Sequence, residues 1–553
     1  MNRGARSWPW SATALGIAAV IGIYAVLVWD RRWIADDGLI VVRTVREILA
    51  GHGPVYNAFE RAEPTTSAGW MWLLAGCGWI TGGDAATLAV VVGGLLAVAG
   101  LAIALDATRR LHRGHGHGGT LVPAGAMVVL GLFPFWDFAT SGLETGLALC
   151  WLAAIWWGLV ALRPDTGPRR LAGFAAVVGA GPLVRPELAI ATCVFLAAGA
   201  WLVRPRPRQA LWLAGCALLL PVAYEVFRAG YYGTLVPLSA IAKSAGDAAW
   251  DRGADYVLRL VKPHLLYVPA AVLAGVVAAN RRALVTPARV VFAAPGVAAL
   301  LLAVYFVRVG GDFMHGRLLL PSLFLAVARV LLIPRGRATT PAVIALAAWA
   351  LFTGAWFYLG ARHLYDDERL GYVRYTRQRN PDEADHVHAQ RVVTAAIAEA
   401  TRQGRRLLVS DAGEQIPMAA THGATIAVVA GRLGVAGSIA SLDDIVVDRF
   451  GLANPLGARI TRTQAGRTGH EKALPWPWIL ADHAEPAAIS PDVRAAVDAA
   501  RDAMTCGELA ELLASVRAPM TASRFWDNLT GSLRRTRLVI PADPLDAERA
   551  LCR

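Results

Sequence analysis

Residues 7–38 read SWPWSATALGIAAVIGIYAVLVWDRRWIADDG, an apolar run that ends in aromatic and charged residues and then in a pair of aspartates. The apolar part, residues 7–29, exceeds the roughly 20 residues that cross a bilayer, and it is much longer than the core of a cleaved signal peptide. We therefore expect a permanent transmembrane helix. Asp36 and Asp37 follow its exit, at the mouth of the membrane.

The composition of the whole chain is that of a membrane protein. Of 553 residues, 56% are hydrophobic and only 17% are charged, and the mean hydropathy is +0.44. The formal net charge of +13 does not indicate nucleic acid, because the arginines lie in short clusters between apolar segments, as the positive-inside rule describes. We predict a polytopic α-helical membrane protein with no nucleic-acid partner.

Apolar segments predict about eleven transmembrane helices. They are residues 7–29, 85–105, 121–138, 143–162, 171–184, 188–203, 210–227, 263–279, 290–306, 318–333 and 341–359. Alternating these helices places the basic loops together on the cytoplasmic side and residues 30–84 in a first outer loop. The tryptophan-rich stretch 68–80 is short and predicts an interfacial or re-entrant helix. The transmembrane domain is then residues 1–360.

Hydropathy falls after residue 360, and residues 361–553 predict a soluble extracytoplasmic α/β domain. Strands are expected at residues 405–411 and 424–430, and helices at 492–500 and 506–516. Cys506 and Cys552 are the only cysteines of this domain. Because the outer face is an oxidising setting, we predict that they form a disulfide.

Charged residues on the outer face are not explained by topology, so they predict a site. The strongest pattern is RVGGDFMHGR at residues 308–317, where glycines allow close backbone approach and the cationic side chains can hold a phosphate. A structural turn is the alternative. We assign phosphate binding to Arg308, His315, Arg317 and Lys243, with Asp312, Glu144, Arg185 and Glu187 as further pocket candidates. Arg185 and Glu187 also fit a structural ion pair.

An acidic pair and a phosphate clamp together describe a transferase whose leaving group is a lipid-linked phosphate. Asp36 and Asp37 are the catalytic candidates, one of them removing the proton of an acceptor hydroxyl while the cations stabilise the departing phosphate. A lipid or sugar transporter is less favoured, because the middles of the predicted helices are nearly free of polar residues. No residues are predicted to bind a metal.

Several motifs resemble a known family. DDGLIVVRTVREILAGHGPVYN (36–57), PTTSAGWMWLL (64–74), RVGGDFMHGRLLLPS (308–322), DRFGLANPLGARI (448–460) and GHEK (469–472) look like the GT-C superfamily of polyprenyl-phosphate-sugar glycosyltransferases. Within it, they are most similar to the terminal β-(1→2)-arabinofuranosyltransferase family of mycobacteria and corynebacteria. The resemblance carries the acidic-pair role onto Asp36 and Asp37.

The resemblance implies decaprenyl-phosphoryl-arabinofuranose as donor and the arabinan of arabinogalactan or lipoarabinomannan as acceptor, at a multi-pass plasma-membrane enzyme acting in cell-wall biogenesis on the outer face. A mannosyl- or aminoarabinosyl-type GT-C enzyme is the alternative. The use of a divalent cation stays open. So does the mechanism, since a β-linked donor and a β product require either an enzyme nucleophile or attack from the face of the leaving group. We expect a monomer.

Overall fold

The structure, a computed structural model, describes residues 11–114, 118–244, 248–279, 289–337, 339–359, 367–420, 423–465 and 469–552. The chain forms two compact units, each built from several stretches of sequence. The first comprises Met1–Arg32, Val91–Leu220 and Ala248–Leu370, and the second comprises Trp33–Val90, Pro221–Asp247 and Gly371–Arg553. The second unit thus groups most of the predicted first outer loop with the C-terminal segment. The predicted boundary at 360/361 lies outside the described residues.

The first unit is mostly helical. Its α-helices are Ala12–Asp30, Ala126–Gly131, Pro134–Asp137, Thr145–Ala161, Pro168–Gly179, Gly181–Val184, Ala189–Val203, Trp250–Val261, Tyr267–Ala279, Arg289–Arg308, Leu320–Ala328 and Thr339–Tyr358. Short 3-10 helices lie at Phe138–Thr140, Pro186–Leu188 and Arg317–Leu319, and strands Leu121–Val122 and Ile333–Pro334 pair in antiparallel fashion. Helices Ala85–Arg113 and Pro207–Tyr231 are divided between the two units.

Six helices in the described residues are long and apolar enough to cross a membrane, or seven spans if the bent pair Pro134–Thr140 and Thr145–Ala161 counts as one. They are Ala12–Asp30, Ala85–Arg113, Pro186–Val203, Pro207–Tyr231, Arg289–Arg308 and Thr339–Tyr358. A multi-pass membrane protein is therefore confirmed, whereas the number eleven is not.

Three of the expected spans are wrong as continuous helices. Residues 121–138 begin as a strand and then form two short helices on either side of Leu132, because Pro134 cannot continue the preceding helix. The stretch 318–333 stops being helical at Ala328 and ends in strand Ile333–Pro334, which pairs with Leu121–Val122. The predicted span 171–184 is also interrupted, at Ala180, just before Pro182. Hydropathy alone does not register these breaks.

The second unit contains a four-stranded sheet. Its strands lie in the order Gln415–Pro417, Leu407–Ser410, Ile426–Ala430 and Ile445–Asp448. The first pair is antiparallel and the others are parallel, with Leu407 opposite Ile426 and Ala427 opposite Ile445. The three parallel strands are buried along their whole length, as strands covered on both faces must be. The predicted α/β domain and its two predicted strands are confirmed.

Alternate residues of these strands pack into two different hydrophobic cores, one on each face of the sheet. Leu408, Val429 and Val447 pack with Trp478 and Leu512 on one face. On the other face, Val409, Val428 and Val446 pack in a core that also contains Ile40 and Tyr56. The segment after the first membrane helix is thus a structural part of the α/β unit.

Helices complete both layers of the second unit. They are Asp36–Leu49, Ala68–Thr81, Leu238–Ala242, Glu383–Ala389, Arg391–Arg402, Leu433–Ile439, Trp476–His483, Pro491–Met504, Gly507–Arg517, Ala522–Arg537 and Pro544–Leu551, with 3-10 turns Gly457–Arg459 and Pro486–Ala488. Helix Glu368–Thr376 is divided between the units. The two helices predicted at 492–500 and 506–516 are confirmed within a few residues.

A disulfide joins Cys506 to Cys552 across a sequence separation of 46 residues. The two cysteines flank helices Gly507–Arg517 and Pro544–Leu551. Closing a loop of this length restricts the unfolded chain and stabilises the fold by about 4 kcal/mol on the chain-entropy model.

We expect the double variant Cys506→Ser/Cys552→Ser to have a free energy of unfolding about 4 kcal/mol lower than the parent chain, measured by chemical unfolding of the second unit under oxidising conditions. Reducing agent should bring the parent chain to the same stability and leave the variant unchanged. Two free thiols at these positions in non-reducing mass mapping would contradict the bridge.

Candidate active site

Asp36 and Asp37 form the first turn of helix Asp36–Leu49, which we call the Asp36 helix. Carboxylates are favoured there, since the backbone N–H groups of a first helical turn are exposed and positive. Asp36 is buried and Asp37 is half-buried. Adjacent helix positions point in different directions, so the two carboxylates meet different surroundings although they are neighbours in sequence.

The carboxylate of Asp36 faces a second helix of the same unit, Leu433–Ile439, which we call the Gly434 helix. The Val435 N–H donates to Asp36 Oδ1 at 2.8 Å. A Cβ on Gly434 would stand 1.9 Å from the Asp36 carbonyl oxygen. Only glycine at this position allows the two helices to approach so closely, and this approach brings the Val435 N–H within reach of Asp36.

The pKa of Asp36 is raised to about 7, first by burial and then by the neighbouring negative charge of Asp37. Hydrogen bonds from the Val435 and Gly434 N–H groups and the positive charge of Arg432 oppose this rise. A carboxylate with a pKa near neutrality is suited to accept a proton in catalysis at physiological pH.

We expect activity to increase with pH with a midpoint near 7, because only ionised Asp36 can accept a proton. Stability should move the other way. Asp36 is protonated more readily in the folded state than in the unfolded state, so its contribution to stability is complete at low pH and is lost as pH rises through about 7. Measuring the transfer rate and the unfolding temperature over a pH series checks both expectations, with Asp36→Asn as the control. An activity midpoint near pH 4 would contradict the expected activity profile.

Arg43 fixes the far end of the Gly434 helix. Its fully buried guanidinium donates to the carbonyl oxygens of Gly437, Ala440, Ser441 and Asp444 at 2.9 to 3.2 Å. It also donates to the Tyr56 carbonyl at 2.8 Å. Asp36 and Arg43 are two turns apart on one face of their helix, so this face holds both ends of the Gly434 helix.

Arg43→Lys is expected to raise the midpoint of the pH profile and to cost about 2–4 kcal/mol in stability, because an ammonium group cannot replace these five hydrogen bonds. The Gly434 helix then loosens, and the N–H groups that lower the pKa of Asp36 are lost. Arg459→Lys is a matched control, since Arg459 is equally buried in this unit and also donates to main-chain carbonyls. An equal shift in both variants would contradict a specific role for Arg43.

The first unit contains a separate charged cluster of predicted residues. Arg185 forms ion pairs with both Glu144 and Glu187, and Arg317 lies within electrostatic reach of Glu144 and Arg185. The ion pair expected for Arg185 and Glu187 is present in the structure. With Asp312, the cluster holds three carboxylates and two arginines.

Arg317 is paired inside its own loop. Its Nε and Nη2 atoms donate to Asp312 Oδ2 at 3.0 and 2.6 Å, and Asp312 Oδ1 accepts the Phe313 N–H at 2.8 Å. Tyr256 braces the loop by donating to the Met314 carbonyl at 3.0 Å and accepting the Leu318 N–H at 3.1 Å. An incoming phosphate would therefore compete with Asp312 for Arg317.

The glycines of this loop are required by its geometry. Gly310, Gly311 and Gly316 all have positive φ, and a Cβ on Gly311 would stand 2.4 Å from the Tyr256 ring. His315 is stacked on Phe133, with ring centroids 5.5 Å apart. Arg308 ends helix Arg289–Arg308.

Lys243 belongs to the second unit, where its aliphatic stem packs against Gly469. The neighbouring Lys472 donates to the carbonyl oxygens of Ile241 and Ala458 at 3.0 and 2.8 Å. Lys472 therefore has a structural role, which the motif GHEK did not reveal.

Several charged or polar residues of these sites had not been singled out from the sequence. Arg43, Arg432 and Tyr256 are separated from their partners by long stretches of chain. Outside these sites, Glu63 was also not singled out; it is buried and accepts from Tyr224 at 2.8 Å and from Arg228 at 2.6 Å. The signal in the sequence was the position of Arg43 inside the apolar run LIVVRTV at 39–45.

No group of three or more His, Cys, Asp or Glu side chains in the described part of the chain could hold a metal ion. No residue is therefore assigned to a divalent cation.

At least six helices in the described residues are long and apolar enough to span a membrane, and the second unit is an α/β unit in which Asp36 is buried at a helix start. Together they define a multi-pass membrane protein with an α/β unit. Residues 382–549 match the model described as AftB family C-terminal domain. The chain is 35% identical to the terminal β-(1→2)-arabinofuranosyltransferase of Mycobacterium tuberculosis, covering 96% of both chains. It is also 35% identical to the enzyme of that name from Corynebacterium glutamicum, covering 96% of this chain and 86% of the relative.

The chain belongs to the family of terminal β-(1→2)-arabinofuranosyltransferases. Among solved structures, it is similar to ArnT from Cupriavidus metallidurans bound to undecaprenyl phosphate, with 15% identity and a TM-score of 0.40, covering 96% of this chain and 90% of that one. That likeness is too weak to support a statement about the fold or function.

Proposed function

We propose that this chain transfers arabinofuranose from decaprenyl-phosphoryl-arabinofuranose to the ends of cell-wall arabinan and forms β-(1→2) linkages. The observation that carries the proposal is its 35% identity, over 96% of its length, to two enzymes that are named for this reaction. The membrane-spanning helices suit a lipid-linked donor, since its polyprenyl tail can remain in the bilayer.

Asp36 is the group we propose as the base. In the transfer, the bond between C1 of the sugar and the phosphate oxygen breaks, and its electron pair leaves with polyprenyl phosphate. The 2-hydroxyl oxygen of the acceptor bonds to C1 on the face that the phosphate leaves, which keeps the β configuration, and its proton passes to the Asp36 carboxylate. The raised pKa of Asp36 supports this role, and Asp37 contributes by holding that pKa high.

The charged cluster of the first unit is the proposed site for the donor phosphate. Arg317 and Arg185 supply guanidinium groups, which are matched in shape to phosphate oxygens. Their present partners, Asp312, Glu144 and Glu187, hold them in place. We propose that the active site and the α/β unit face the extracytoplasmic side, where the arabinan acceptor lies.

The test is a donor panel with the purified chain in lipid nanodiscs and a synthetic arabinan oligosaccharide as acceptor. Decaprenyl-phosphoryl-arabinofuranose is offered beside polyprenyl-phosphate mannose and aminoarabinose, and the products are separated by thin-layer chromatography. We expect transfer from the arabinofuranose donor alone. Transfer from the mannose or aminoarabinose donor in its place would overturn the assignment and favour another lipid-phosphate-sugar transferase.

A further inference from the structure

A cavity of about 1090 Å³ in the first unit lies where three helix ends meet. Helix Ala85–Arg113 and helix Thr145–Ala161 end there, and helix Pro168–Gly179 begins there. The two longer elements belong to membrane-span candidates. The cavity is therefore placed at the end of a membrane-embedded bundle, at the level expected for lipid headgroups.

This cavity is strongly cationic. Its lining includes five arginines, Arg109, Arg110, Arg113, Arg163 and Arg170, and one carboxylate, that of Asp165. Asp106 holds Arg109 at 2.5 Å and Arg110 at 2.6 Å. Arg113 and Arg170 form no ion pair with any residue that the structure describes. The positive-inside rule accounts for arginines at helix ends, but it does not require them to surround a cavity.

The same cavity is also lined by apolar side chains. Trp157, Phe174 and Val177 line the same cavity, and Trp157 is fixed by donating to Asp106 at 3.0 Å. An adjoining apolar cavity of about 170 Å³ shares Leu162 and Phe174 with the first. Close contacts of the Phe174 ring with Gly158 and Gly199 place it between two helices. Cationic and apolar side chains in one lining match the two ends of an amphiphile.

We propose that this cavity binds an anionic phospholipid, with its phosphate at Arg113 and Arg170 and an acyl chain along Trp157 and Phe174. Basic pockets between transmembrane helices recognise such headgroups by charge. A zwitterionic lipid carries its own cation and gains less from unpaired arginines, whereas inorganic phosphate leaves the apolar wall without a partner. The proposal does not depend on the proposed transferase activity.

The test uses the purified full chain in neutral detergent, with dioleoyl phosphatidylglycerol and dioleoyl phosphatidylcholine as probes of equal chain length. Native mass spectrometry measures retention, and thermal unfolding measures stabilisation. We expect phosphatidylglycerol to be retained at least tenfold better than phosphatidylcholine and to raise the unfolding temperature. The preference should weaken with salt.

The variant Arg113→Gln/Arg170→Gln should lose this preference, and Arg335→Gln/Arg337→Gln should keep it. The second pair removes the same charge from exposed positions elsewhere in the unit. Equal retention of the two lipids, or equal loss in both variants, would overturn the proposal. Equal stabilisation by inorganic phosphate alone would also overturn it, in favour of a simple anion site.

Discussion

Replacing Asp36 with Asn is expected to lower the rate of arabinosyl transfer at least about a hundredfold, the usual size of a lost acid–base group. The amide keeps the shape of the side chain, and its oxygen can still accept the Val435 N–H at the position of Oδ1. It cannot take a proton from the acceptor. Donor binding and the unfolding temperature at pH 6 should remain close to those of the parent chain, so the loss should appear in kcat. A single-turnover assay with bound donor measures it.

Asp37→Asn is the matched comparison for Asp36→Asn. Because the charge of Asp37 raises the pKa of Asp36, this variant should move the pH midpoint downward. If Asp37→Asn abolished transfer and Asp36→Asn retained near-parent rates, the base would be Asp37 and the roles proposed for the pair would be wrong.

Arg317→Gln is expected to raise the KM for the donor at least about tenfold and to destabilise the first unit. Removing one partner of a buried ion pair leaves the other charge uncompensated, which costs about 3–5 kcal/mol. In Arg317→Gln, the charge left without a partner is that of Asp312, which accepts from Arg317 at 2.6 Å in the parent chain. The structural and binding effects must therefore be measured separately, the first by thermal unfolding and the second by donor titration.

The double variant Asp312→Asn/Arg317→Gln separates the two effects. Since both charges are removed together, stability should recover to a large extent. If Arg317 also binds the phosphate, the KM for the donor stays high in the double variant. Recovery of both stability and KM would show that the Arg308 to Arg317 loop is only structural.

The membrane class and the α/β character of the second unit could be predicted because each depends on local sequence. Hydropathy identifies long apolar helices, and Asp36 and Asp37 stand out directly after the first of them. The interrupted helices were missed because a proline or a change of direction at Leu132 does not lower the mean hydropathy. Grouping Trp33–Val90 with the C-terminal segment was also out of reach, since it depends on contacts such as Tyr56 with Leu433 across 377 residues.

The surroundings of Asp36 could not be predicted for the same reason, because they depend on contacts with a distant part of the chain. Its place just after the first membrane helix follows from the sequence, but its raised pKa depends on its burial, which the structure shows against the Gly434 helix. Nothing in the pattern LGVAGSI at 433–439 marks Gly434 as the point of contact. The glycines and cationic residues that suggested a phosphate clamp are visible in RVGGDFMHGR, whereas the pairing of Arg317 with Asp312 needed coordinates.

The most direct test of the proposed reaction is the linkage formed by the purified chain. Decaprenyl-phosphoryl-arabinofuranose with a labelled sugar is incubated with an arabinan oligosaccharide in nanodiscs, and the product is analysed by NMR and methylation. The reaction we propose gives one terminal arabinofuranose joined by a β-(1→2) bond, formed by the parent chain and not by Asp36→Asn. An α-linked product, attachment at another hydroxyl, or an equal product from Asp36→Asn would contradict it.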